Sequence, residues 1–308
     1  MENAIEVIDL TKKYGELLAV DHINFAVKNG EIFGFLGPNG AGKTTTVRML
    51  TGIIKPTSGE AYVMGYNIKT EILQAKQLMG IVPEMSNAYT DLSAWRNLMF
   101  SAELYGIPKH ERVPRAEKLL KEFGLFERRN QRTKAFSKGM KQRLIICMAL
   151  INDPEILFLD EPTSGLDVES TRIIKEKLRE LNKNGATIFI NTHNMEEANE
   201  LCNRVAIMNH GKIVMIESPE KLRNTTRGLH SVEVVFDKPA DPNVLLKHTG
   251  ATNAKKVGDK VRLYTEDINE VISRLSDLAK FSGMKILTLN TFTPSLEDVF
   301  IKITEGEV

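Results

Sequence analysis

The sequence predicts an α/β chain whose parallel core sheet carries a phosphate-binding loop. An antiparallel β subdomain and a helical subdomain flank that sheet, and a small α+β domain follows. Three observations lead there. The apolar run "IFGFLG" feeds a glycine-rich turn, "GPNGAGKTT", which opens a helical pattern. Two later apolar runs, "EILFLDEP" and "ATIFINTH", end in polar residues and read as buried parallel strands. Near "SPEKLRNTTRG" the composition shifts, and the pattern beyond it reads β-α-β-β-α-β.

In the opening stretch Ile23, Phe25 and Val27 alternate onto one strand face and Asn29-Gly30 supplies a turn, which predicts a small antiparallel sheet. The helical subdomain is expected over about residues 85–153. Within it "DLSAWRNLMFSAELYG" opens on capping residues and ends at Gly106, with Pro108 just beyond. "PRAEKLLKEFGL", from Pro114, brings Leu119, Leu120 and Phe123 together and stops at Gly124, and "GMKQRLIICMALI" is apolar along most of its length. A charged helix over 168–183 separates the two later strands, and "VAIMNHGKIVMIE" is a hairpin turning at His210-Gly211. After the composition shift come "SVEVVF", a helix in "DPNVLLKH", a strand near 251–256, "KVRLYT", a helix over 266–280, "KILTLN" and a short helix from Pro294. That order is ferredoxin-like, so the domains are expected at 1–222 and 228–308.

The 308 residues are 42% hydrophobic and 26% charged with a net charge of +1, a balance that asks for neither nucleic acid nor an anionic membrane surface. Two cysteines, Cys147 and Cys202, form neither a disulfide framework nor a zinc pattern and suit a reducing cytoplasm. "MENAIEVIDL" lacks the basic region of a signal peptide. The longest apolar run, "LIICMALI" at 144–151, is far short of the about 20 residues that span a bilayer. Any membrane role therefore requires another chain to cross.

"GPNGAGKTT" matches G-x-x-x-x-G-K-[ST] in the required strand–loop–helix context. Glycines let successive backbone N–H groups turn inward on phosphate oxygens, and the helix N-terminus adds its dipole. The loop residues Gly37, Pro38, Asn39, Gly40, Ala41, Gly42, Lys43, Thr44 and Thr45 are the expected nucleotide cradle. Lys43 is expected to reach the β- and γ-phosphates of a nucleotide, and the Thr44 hydroxyl to bind Mg2+. Asp160 ends a buried strand and emerges beside the phosphates as a magnesium ligand, directly or through water. Glu161, next in the chain, points elsewhere, which suits it to orient or deprotonate the attacking water. His193 follows another buried strand and projects from the same sheet edge, where it would hold that water and Glu161 in place.

Over residues 3–220 this set resembles the nucleotide-binding subunit of an ABC transporter, a P-loop NTPase, with "FSKGMKQR" similar to the family's signature and "SGLD" (164–167) to its D-loop. The resemblance implies that Tyr14 stacks on adenine, although taken alone it reads as an exposed tyrosine at a strand end. It also implies that Asp167 joins the nucleotide-binding set, and that Ser137 and Gly139 bind the γ-phosphate of ATP held by a second subunit. Two such subunits, copies or homologues, would pair head to tail and drive a separately encoded transmembrane permease. The expected location is thus cytoplasmic, peripheral on the inner face of the membrane.

Departures from the family pattern narrow the resemblance. Glu84 stands where glutamine is usual and is expected at the metal site; Phe136, Lys138 and Met140 replace the usual signature residues. Lys138 either adds charge near the γ-phosphate or faces solvent, with solvent the simpler reading. These departures, with "TPSLEDVFIKIT" (293–304), resemble exporters of the drug-resistance, antibiotic and sodium types. The C-terminal domain would regulate or stabilise the dimer, or be a plain appendage. Tyr89 and Trp95 are candidate permease contacts, or core. The alternatives are a soluble ABC ATPase without a permease, which would act on ribosomes or DNA, and a P-loop kinase. One cassette, no heptad insertion and a neutral charge balance argue against the first.

Overall fold

Alternation of buried and exposed side chains builds the first sheet. β1 (Asn3–Tyr14) and β2 (Leu17–Lys28) pair antiparallel across the turn at Gly15. The chain then enters β3 (Ile32–Leu36), buried along its whole length, and α1 (Lys43–Leu50). β4 (Ser58–Val63) and β5 (Tyr66–Asn67) return to complete a sheet of order β2-β1-β4-β5. The computed structural model describes residues 2–84, 88–225, 230–292 and 300. The chain divides into two compact units, Met1–Ser218 and Pro219–Val308.

In the first unit α2 (Ile72–Gln77) leads to β6 (Met79–Val82). The helical segment follows as α3 (Ala94–Leu104), α4 (Lys109–Glu122) and α5 (Lys138–Leu150). The Ser93 side chain caps α3 by accepting from the Arg96 N–H, and Gly106 leaves the helix at φ 72°. α4 starts earlier than the sequence pattern suggested: Pro108 is its N-cap and Pro114 lies inside it. Proline signals a helix start because its lost N–H is harmless there; here it falls in the second turn and leaves the His110 carbonyl without its helical donor. α5 is apolar on several faces because it packs against β6, α3 and α4 and against α6 (Val168–Lys183).

β7 (Ile156–Asp160), β8 (Thr187–Asn191), α7 (Met195–Leu201), β9 (Arg204–Asn209) and β10 (Lys212–Glu217) complete the unit. The core sheet has order β10-β9-β3-β8-β7-β6. It is parallel from β9 to β6, with β10 added antiparallel through the hairpin at His210 and Gly211. Phe25 of β2 meets Phe33, Phe35 and Phe189 of the core sheet with ring centroids 5.6–6.3 Å apart, and Phe158 adds a further contact to Phe189. This aromatic layer joins the two sheets. Cys147 and Cys202 are buried free thiols whose burial pushes both pKa values up.

The second unit contains α8 (Pro219–Thr225), β11 (His230–Phe236), α9 (Pro242–Thr249), β12 (Asn253–Val257), β13 (Lys260–Thr265), α10 (Ile268–Ser282) and β14 (Ile286–Phe292). Its antiparallel sheet has order β12-β13-β11-β14, the ferredoxin-like arrangement expected from sequence. Val232, Val234, Val261 and Leu263 of the sheet pack on Leu245 of α9 and on Val271 and Leu275 of α10, a core of its own. The segment 293–304, apart from Phe300, lies outside the described residues, as does 85–87. Among the described residues no helix is long and apolar enough to cross a membrane.

Candidate functional site

The site forms at the C-terminal ends of β3, β8 and β7, where side chains leave the sheet together. After β3 the chain turns so tightly that a Cβ on Gly37 would stand 2.4 Å from the Met208 carbonyl oxygen. Gly42 has φ 106°, and a Cβ there would meet the Ala19 carbonyl oxygen at 2.3 Å. Only glycine satisfies either position. α1 opens directly at Lys43 with no side-chain cap and no acid in its first turn, so its leading N–H groups remain for an anion. Lys43 folds back, its Nζ donating to the carbonyls of Gly37 at 2.7 Å and Pro38 at 3.1 Å. Burial lowers its pKa, while the nearby carboxylates of Glu161, Asp160 and Glu84 pull it back up.

Asp160 is the last residue of β7 and Asn191 the last of β8; the two are register partners. Asn191 Nδ2 donates to Asp160 Oδ1 at 2.5 Å and lies 3.5 Å from Thr44 Oγ1. Burial raises the Asp160 pKa, with the charges of Glu84 and Glu161 adding to the rise; the Asn191 hydrogen bond and Lys43 oppose it. The converging donors, a threonine hydroxyl and a carboxylate, suit a hard cation that completes its shell with phosphate and water. Asn191 Nδ2 ties the Thr44 hydroxyl to the Asp160 carboxylate, so the oxygen donors present fit magnesium.

Glu161 adopts φ 50°, a conformation that costs a non-glycine residue on the order of 1–3 kcal/mol. Its N–H donates to the Asn191 carbonyl at 2.8 Å, which fixes the turn. The turn carries the Glu161 side chain away from Asp160 and toward His193. Glu161 Oε1 accepts from the His193 backbone N–H at 2.9 Å and pairs with His193 Nδ1 at 2.7 Å. Thr192 Oγ1 lies 3.5 Å from Glu161 Oε2. Just beyond, Thr163 Oγ1 donates to the buried Glu197 Oε1 at 2.8 Å and ties this turn to α7.

The signature-like residues face a different neighbour. Ser137 caps α5, accepting from the Met140 N–H at 3.2 Å. Gly139 packs so closely on α6 that a Cβ would meet Ser170 Oγ at 2.1 Å. Asp167 caps α6, with both carboxylate oxygens engaged by the Ser170 N–H and hydroxyl at 2.8 and 3.0 Å, contacts that lower its pKa. The simpler reading of Lys138 is incomplete: it is exposed, yet its Nζ donates to the Ser164 carbonyl at 2.7 Å, binding the signature to the 164–167 loop.

Tyr14 is half-exposed at the end of β1, with Lys12 Nζ 5.0 Å from its ring centroid. Tyr89 is exposed and stands edge-on to Phe100 at 5.2 Å, while Trp95 is half-buried. The Asn97 side chain clamps Tyr89 from both sides, accepting from its N–H at 2.8 Å and donating to its carbonyl at 3.1 Å.

The structure thus gathers Lys43, Thr44, Asp160, Glu161 and His193, with the charge of Glu84 felt by Lys43 and Asp160. It sets Gly139 beside Asp167 at the start of α6, two residues after the Ser137 cap of α5. Sequence reasoning missed Asn191, Thr163 and Glu197. One signal pointed to Asn191: "TIFIN" ends in a polar residue after four buried ones, as "ILFLD" does.

The family described as ABC transporter matches residues 20–164. The C-terminal domain of DrrA1-3-like ATP-binding proteins matches residues 218–304. The linearmycin resistance ATP-binding protein LnrL of Bacillus subtilis is 34% identical, aligned over 97% of this chain and 98% of its own length. The Nod factor export ATP-binding protein I of Ralstonia nicotianae is 34% identical over 99% of this chain and 94% of its own length. Among solved structures, an ATP-binding subunit of an ABC transporter superposes with a TM-score of 0.67 at 30% identity, covering 72% of this chain and 92% of that one. The dimeric, post-hydrolysis ATP-binding cassette MJ0796, bound to ADP and Pi, gives a TM-score of 0.64 at 28% identity over 70% of this chain and 98% of that one.

Proposed function

Because the chain belongs to the ABC transporter ATP-binding proteins, and resembles export and resistance members over nearly its whole length, we propose that it is the ATP-hydrolysing subunit of an exporter, pairing head to tail with a copy of itself or a homologue. The observation that carries this reading is the Glu161–His193 pair, hydrogen-bonded at 2.7 Å beside the phosphate loop. Glu161 takes the proton of the attacking water, and His193 holds the carboxylate in position. The N–H groups of the glycine loop and of α1 cradle the phosphates, and Lys43 exchanges its loop carbonyls for phosphate oxygens. Tyr14 supplies an exposed ring for adenine.

Thr44 and Asp160 would hold magnesium with Glu84 close by, and the ion when bound would supply charge neutralisation at the phosphates. The capped N-terminus of α5, with Ser137 and Gly139, serves ATP held by the second subunit; Asp167 fixes the loop beside it. The permease docks near Tyr89, and through it the subunit sits on the inner membrane face. Replacement of Glu161 by glutamine tests the reading. Hydrolysis should fall about 10²–10⁴-fold, with ATP binding kept and an ATP-bound dimer seen by size exclusion. A Glu161→Gln chain that stays monomeric with ATP and hydrolyses at the wild-type rate would overturn it.

A further inference from the structure

Strand order places β8 between β3, which leads into the phosphate loop, and β7, which ends at Asp160. The residue at the tip of β8 therefore stands between the two groups expected to hold the metal. That residue is Asn191, 1% exposed. Its Nδ2 donates to Asp160 Oδ1 at 2.5 Å and lies 3.5 Å from Thr44 Oγ1. Its backbone carbonyl accepts from the Glu161 N–H at 2.8 Å. The residue is thus held at both ends of the metal-binding pair and at the turn that carries Glu161.

We propose that Asn191 is a positioning residue for the magnesium ion: Nδ2, shared between Asp160 Oδ1 and Thr44 Oγ1, holds the two metal-binding groups in register. The proposal rests on the nucleotide reading above. Magnesium demands near-ideal octahedral geometry, so a side chain that fixes the spacing of two of its ligands acts on its affinity. The task requires a neutral side chain that donates. Aspartate would set a second carboxylate against Asp160 and has no N–H, and alanine offers no donor.

The test is equilibrium binding of a fluorescent ATP analogue to the full chain, in EDTA and across a magnesium titration. For Asn191→Ala we expect unchanged affinity in EDTA, with the magnesium needed for half-maximal tightening raised about 10–100-fold. Asn191→Ser, which keeps a short polar group, should shift less in the same direction and carries the measurement if the alanine variant does not fold. A half-point at the wild-type value in a folded variant, even one with a lowered melting temperature, makes Asn191 purely structural and overturns the proposal. A wild-type chain that binds no nucleotide overturns the underlying reading as well, so the two failures are distinct.

Discussion

Glu197 is a carboxylate sealed inside the protein at 1% exposure, bonded to Thr163. Burial raises its pKa against the pull of that hydrogen bond. The folded chain thus keeps this proton to higher pH than the unfolded chain does. As pH climbs through the window between the two pKa values the unfolded state ionises first, and folding loses stability; below both values the group has no effect. Glu197→Gln removes this dependence while keeping an oxygen for Thr163. Its melting temperature should exceed that of wild type most at about pH 8, with the difference shrinking toward about pH 4. A constant difference across that range would show that Glu197 is not the titrating group. At this scale the sequence was legible where a motif carries its own geometry, as in Lys43, Thr44 and Asp160. It was silent on Glu197, because an acid in a helical "MEEANEL" reads as a solvated face until packing buries it.

The start of α5 illustrates what an element requires of its neighbours. Ser137 caps it, Lys138 straps it to the Ser164 carbonyl, and Gly139 allows α6 to approach. Gly139→Ala should cost about 1–3 kcal/mol of stability, the usual penalty for forcing extra volume into close packing, measurable by chemical denaturation. Ser137→Ala should cost about 1 kcal/mol through the lost cap. An undiminished midpoint in Gly139→Ala would mean that α5 and α6 part readily. Helix ends with capping signals, such as Ser93 and Gly106 of α3, could be read from sequence because caps are local. The start of α4 could not, since Pro114 is tolerated inside the helix.

The two units have separate cores, one built around the Phe25–Phe33–Phe35–Phe189 layer and one around Val232, Leu263 and Leu275. A chain ending at Ser218 should therefore fold and bind ATP with the affinity of the full protein, checked by calorimetric titration; failure to bind would make the second unit part of the nucleotide site. The sequence by itself determined the α/β class, the phosphate loop, the acid that ends β7 and the order of the C-terminal elements. Each of these depends on residues near one another in the chain, through apolar period, turn chemistry and capping. The strand order of the core sheet was decided only by the tertiary structure. Placing β8 between β3 and β7 depends on how two sheet faces and their helices pack, and no local pattern encodes it. That insertion brings Asn191 between Thr44 and Asp160, and it carries His193 to within 2.7 Å of a glutamate 32 positions earlier.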